Sequence, residues 1–107
     1  MGEVAIAVYR PKPGMGTRLR EVVSRHYPAL LAGGFVTGQQ AFVMRAASGA
    51  VVEVFEWVSR ERKMAAHADP AVLQVWDDFE ACAEFPELAA LAEAGHPFAT
   101  FEGMNSS

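Results

Sequence analysis

The run Val51-Val52-Glu53-Val54-Phe55-Glu56-Trp57-Val58 decides how this 107-residue chain folds. Strand side chains alternate between faces, so one parity reads Val51, Glu53, Phe55, Trp57 and the other Val52, Val54, Glu56, Val58. Each parity is mainly apolar and each holds one acid. Neither face suits water, which makes this a central strand covered on both sides. The pattern leaves open which of Glu53 and Glu56 faces the helices and which faces away.

Upstream, Ala46-Ala47-Ser48-Gly49 supplies a hairpin turn, and Phe35 to Arg45 reads as an antiparallel neighbour weakened by Gly38, Gln39 and Gln40. Further back, Glu3 to Arg10 is apolar on both parities and is closed by Pro11 and Pro13, which marks a second central strand. Between them, Leu19, Val22, Val23, His26, Tyr27, Leu30 and Leu31 recur at helical spacing, with Thr17 as a cap. Pro28 is expected to kink or restart that helix, and Gly33-Gly34 to end it. Downstream, Ser59 caps a short helix to about His67, and Asp69-Pro70 opens another whose inward stripe is Val72, Leu73, Trp76, Phe79 and Ala83. Pro86 to Glu93 adds a turn or two, Pro97 to Glu102 reads as an edge strand, and residues 103–107 as a frayed tail.

The order strand, helix, strand, strand, helix, strand is the ferredoxin-like βαββαβ arrangement with a four-stranded antiparallel sheet, an α+β fold in a single domain spanning 1–102. Helices in this topology cover one sheet face. The other, apolar in both central strands, calls for a second subunit.

Composition narrows the function classes. Apolar residues make up 51% and charged residues 21%, an ordinary globular balance. Nine basic against thirteen acidic residues give a net charge of -4, with arginines scattered among acids, so a nucleic-acid footprint is not expected. No apolar run is long enough to span a bilayer, and no basic-then-apolar leader opens the chain. The single cysteine, Cys82, rules out an intrachain disulfide and reads as an apolar filler. A soluble cytoplasmic protein that contacts neither membrane nor nucleic acid is the expectation.

With Glu53-Val54-Phe55-Glu56-Trp57 followed by Ser59, and Ala66-His67-Ala68-Asp69-Pro70-Ala71-Val72 on the next helices, residues 3 to 102 resemble the dimeric α+β-barrel superfamily, and within it the antibiotic-biosynthesis-monooxygenase-like (ABM) group. The resemblance implies a homodimer whose sheets face each other and a cavity in each subunit between sheet and helices. Some members of the group oxidise polycyclic phenols with molecular oxygen and no metal or flavin, and others degrade haem, isomerise small lactones or have no known activity, so the resemblance implies one of these. The haem-degrading branch is matched least: it uses an Asn, a Trp and a His where this chain has Tyr9, His67 and Trp76.

His67, at a helix end, is a candidate general base for a phenolic or enolic proton. The plainer reading is a helix-terminal histidine that satisfies a carbonyl and stabilises the negative end of the dipole. Glu53 is its candidate partner, with a buried salt bridge as the plain alternative, and Arg10 or Arg45 could neutralise whichever glutamate faces the second subunit. Tyr9, Trp57, Trp76, Phe79 and Phe98, with His96, could line a pocket for a small aromatic ligand, although aromatics at these spacings also serve as core. His26, on the buried stripe, reads as a satisfied core histidine. His67-Ala68-Asp69 lacks a third ligand, so no metal site is expected. The same cavity could serve a non-catalytic binding or structural protein.

Overall fold

The computed structural model describes residues 2–104. Its strands and helices run β1 (Glu3–Pro11), α1 (Gly16–Ala32), β2 (Phe42–Arg45), β3 (Val51–Trp57), α2 (Arg60–Ala66), α3 (Pro70–Cys82), β4 (Ala83–Glu84) and β5 (Glu102–Gly103). Two short 3-10 turns, Leu88–Ala90 and Ala92–Gly95, lie between the last two strands. The sheet has five strands in the order β4-β1-β3-β2-β5, and every pairing is antiparallel. The fold is thus α+β, with β1 and β3 in the interior of the sheet as their two apolar parities require. Among the described residues no helix is long and apolar enough to cross a membrane.

Both edges differ from the sequence reading. The strand beside β1 is Ala83–Glu84, straight after α3, where the helical stripe had been extended to Ala83. Of the expected strand from Pro97 to Glu102, only Glu102 pairs: Glu102 and Gly103 add to β2, opposite Arg45 and Met44. The expected count of four strands is therefore one short, and Gly103 is paired rather than frayed. Met104 N–H still donates to the Val43 carbonyl at 2.8 Å; residues 105–107 of the expected frayed tail lie outside the described residues. Between Phe35 and Ala41 only Val36 bridges to β3, because the Gly38-Gln39-Gln40 stretch offers nothing to hold a ladder.

The helices form for reasons visible in their ends. Ser59 accepts from Arg62 N–H at 3.1 Å, and Asp69 accepts from Ala71 and Val72 N–H at 2.9 and 3.1 Å, with Pro70 at the first helical position. Thr17, in contrast, lies inside α1, whose N-cap is Met15 with no side-chain cap. Pro28 does not restart α1, which runs as one helix to Ala32. It does withhold an N–H from the Ser24 carbonyl one turn back. The β2–β3 hairpin closes through Ala46 N–H to Ala50 carbonyl at 2.8 Å, with Gly49 at φ 94°, a conformation that suits glycine.

Both faces of the sheet carry core. Towards α1 and α3, Tyr9, Val51, Phe55 and Trp57 pack with Leu19, Val22, Val23, Leu30, Val72, Val75, Phe79 and Cys82. Val75 and Cys82 take the inward places that the sequence reading gave to Leu73, which is exposed. On the opposite face, Val8 and Val52 are covered by Leu91 and Phe101 from the irregular segment before β5. That segment covers only one end. The cross-strand row Ile6, Val54, Phe42 stays open, with Ile6 51% and Phe42 65% exposed.

Candidate functional site

The two acids of β3 go to different environments. Glu56 points to the outer face, where it accepts from the Thr37 hydroxyl at 3.0 Å and Gly2 N–H at 3.3 Å. Neither Arg10 nor Arg45 reaches it. Arg10 pairs with Glu84 and Arg45 with Glu102 across the new edge strands. Glu53 points to the helix side and is fully buried.

Around Glu53 the chain builds a network from four elements, β1, α1, β3 and α3. His26 Nδ1 lies 2.8 Å from Glu53 Oε1, and the Tyr9 hydroxyl donates to the same oxygen at 2.8 Å. On the far side of the imidazole, Trp76 Nε1–H donates to His26 Nε2 at 3.0 Å. An indole only donates, so Nε2 must accept and the imidazole proton sits on Nδ1, pointing at Glu53. Both nitrogens of His26 are thereby engaged. Rings fix the geometry: Tyr9 stacks on Phe79 at 4.3 Å, and Phe79 and Phe55 stand edge-on to His26 at 5.1 and 5.6 Å.

Glu53 Oε1 therefore takes two donors while Oε2, equally buried, has no hydrogen-bond partner among the described residues. Leaving such an oxygen unpaired is costly, and a network satisfied on one side only is a conflict that folded proteins tolerate mainly at functional sites. Glu53 also lines a cavity of about 400 Å³ between α1 and the β2 side of the sheet. Its walls include Val23, Tyr27, Ala41 and Val43, and Arg20, Ser24 and Gln40 add polar groups. Tyr27 is held in place by donating its hydroxyl to the Thr37 carbonyl at 2.8 Å.

The expected residues separate into groups. Glu53 and Tyr9 meet, and Trp76 joins them through His26 rather than through His67. His67 is exposed at the C-terminal end of α2, its ring edge-on to Trp76 at 4.9 Å, and it does not line the Glu53 cavity. Tyr9, Trp76 and Phe79 line a second hollow of about 300 Å³ together with Glu80 and Phe85. Trp57 is a buried core residue, edge-on to Phe55. His96 and Phe98 lie exposed on the segment before β5, Phe98 at 90%, and line neither hollow. Sequence reasoning did not connect His26 with Glu53, nor find Arg20, Ser24, Tyr27 and Gln40. The one available signal was that His26 and Glu53 both fall on inward-facing positions of adjacent layers.

Burial first, then the charge of Glu53 and the hydrogen bond to it, pushes the Tyr9 phenol far above its ordinary value. The folded state then keeps a proton that the unfolded chain releases. Stability contributed by Tyr9 is fully present below about pH 10 and falls as pH rises beyond it, at about 1.4 kcal/mol per pH unit. Tyr9→Phe is expected to flatten this alkaline decline, as measured by urea unfolding between about pH 8 and 11. Equal slopes for the two proteins would show that Tyr9 ionises in the folded state.

Comparison with family models, with curated proteins and with solved structures returns no match to this chain.

Proposed function

We propose that this chain is a monooxygenase-like enzyme of the ABM type, acting without metal or flavin on a small phenolic or enolisable metabolite, with Glu53 as the base. The observation that carries the reading is Glu53 itself, a fully buried carboxylate that lines a cavity of about 400 Å³ and whose Oε2 has no hydrogen-bond partner among the described residues. A carboxylate in that position can take a proton from a hydroxyl or an activated C–H brought within hydrogen-bond reach. Tyr9 and His26 act on Oε1 as positioning residues: they fix the carboxylate plane and leave Oε2 as its reactive edge. His26 is not the base, since Trp76 occupies the nitrogen that would accept. In the oxygenase reaction the deprotonated substrate combines with molecular oxygen, a CH2 group becomes C=O, and water leaves.

Two further parts of the reading rest on the fold. The order β4-β1-β3-β2, with α1 and α3 on one face, supports a ferredoxin-like sheet to which β5 is an addition. The open row Ile6, Val54, Phe42, beside Val4 at 62% exposure, supports a homodimer through that face. Ile6→Asp is then expected to yield monomers in light scattering at micromolar concentration, and a monomeric parent protein would remove the dimer.

Activity is tested with hydroquinones, anthrones and 1,3-diketones in D2O, following oxygen uptake and C–H exchange by NMR for the parent protein and Glu53→Gln. The expected result is exchange and uptake by the parent, each reduced at least about a hundredfold in the variant. Exchange without uptake would keep Glu53 as a base and remove the oxygenase assignment. Binding without either would leave a carrier, in which the hollow beside Tyr9 and Phe79 is the natural place for an apolar ligand.

A further inference from the structure

We infer that the Glu53 cavity takes an organic anion, a small carboxylate whose charged end rests on Arg20 and whose proton-bearing end meets Glu53. The inference rests on the reading of this cavity as a ligand site and adds the class of ligand. Arg20 stands apart from the other arginines. Arg10 pairs with Glu84, Arg18 and Arg25 with Glu21 and Asp78, Arg45 with Glu102, and Arg60 with Glu3. Arg62 donates to the Gly33 and Gly34 carbonyls and covers the Phe35 ring. Arg20 touches only the Thr17 hydroxyl, at 3.5 Å, and has no acidic partner among the described residues.

That unpaired guanidinium lines the same cavity as Glu53, the residue whose second carboxylate oxygen is unpaired. The other polar groups there separate into donor and acceptor. Ser24 spends its hydroxyl hydrogen on the Glu21 carbonyl at 2.6 Å, whereas the Gln40 side-chain amide is unengaged among the described residues and has hydrogens to donate. Arg20 and Gln40 therefore offer donors suited to a carboxylate, and Val23, Ala41 and Val43 add apolar wall to the same cavity. The charge of Glu53 repels an anionic group from the buried end, so only one orientation puts both ends of the ligand against complementary charge. A cavity of this volume is about 9 Å across if taken as a sphere, enough for a substituted ring or a short keto acid.

The test pairs charged ligands with neutral copies of the same shape: 4-hydroxyphenylacetate with its amide, and acetoacetate with its amide. Binding is followed by NMR titration of the parent protein, Arg20→Gln and Glu53→Gln. Arg20 is exposed, so its replacement is expected to leave the fold intact. The parent is expected to bind each carboxylate at least about tenfold more tightly than its amide, a preference that Arg20→Gln abolishes and Glu53→Gln retains. Equal affinity for acid and amide, a preference that survives Arg20→Gln, or no binding of either pair at millimolar concentration would overturn the inference. An intact preference alongside absent proton transfer would overturn the enzyme reading alone and leave an anion-binding protein.

Discussion

Glu53→Ala is expected to lower the unfolding free energy by about 3–5 kcal/mol, the usual result when one member of a buried charged network is removed. The reason is specific to this site. Glu53 is fully buried, and Tyr9 and His26 both direct their hydrogens at its Oε1, so alanine strands two donors in the interior. In a domain of this size the midpoint of thermal unfolding should fall by more than about 10 °C. The companion experiment separates structural from functional reasons for keeping the network. Replacing Glu53, His26 and Tyr9 together by Met, Leu and Phe removes the three groups that meet at Oε1 and leaves the indole N–H of Trp76, a partly exposed residue, as the one donor that must turn to water. That triple variant is expected to be as stable as the parent or more so, by up to about 4 kcal/mol, because Oε2 is no longer left unsolvated. It should also lose all proton transfer. A triple variant as unstable as the single one would mean that the network holds the fold together and that its retention needs no functional explanation.

Phe79→Ala is expected to cost about 3–5 kcal/mol, measured by urea unfolding. Phe79 is 2% exposed and stacks almost parallel on Tyr9, with an interplanar angle of 9°. Its other contact is edge-on to the His26 ring, so it is packed against two members of the Glu53 network at once. The cavity left by alanine would free both rings. Loss of stability should therefore come with loss of ligand affinity, although Phe79 does not line the Glu53 cavity. Phe79→Leu, which keeps much of the volume, is expected to recover most of both. A cost below about 1 kcal/mol for alanine would mean that α3 collapses into the gap.

The centre of this fold was legible in the sequence and its edges were not, for a physical reason. β3 and β1 announce themselves through apolar residues on both parities, a pattern that local composition fully specifies. The edge strands β4 and β5 are two residues long, with no periodicity to read, and they exist because neighbouring strands offer unpaired backbone groups at that place. The candidate site divides the same way. Parity separated Glu53 from Glu56 but could not say which was inward, since that depends on which side the helices pack. The helical stripe put His26 in the interior, yet the meeting of α1, β1, β3 and α3 at one carboxylate is a property of the packed layers. His67 drew attention through its place in a resembling motif, and its exposure follows from ending α2 at the surface.

Trp76 gives the molecule a built-in optical probe. Its indole N–H is tied to His26, one hydrogen bond from Glu53, while its ring meets the exposed His67. The other indole, Trp57, is buried in the core and reaches that network only at one remove, through the Phe55 ring, so it supplies the steadier signal. Intrinsic emission should therefore register any event that turns the His26 ring, such as ligand entry, proton uptake at Glu53 or strain from a distant substitution, without a label and before any turnover is seen.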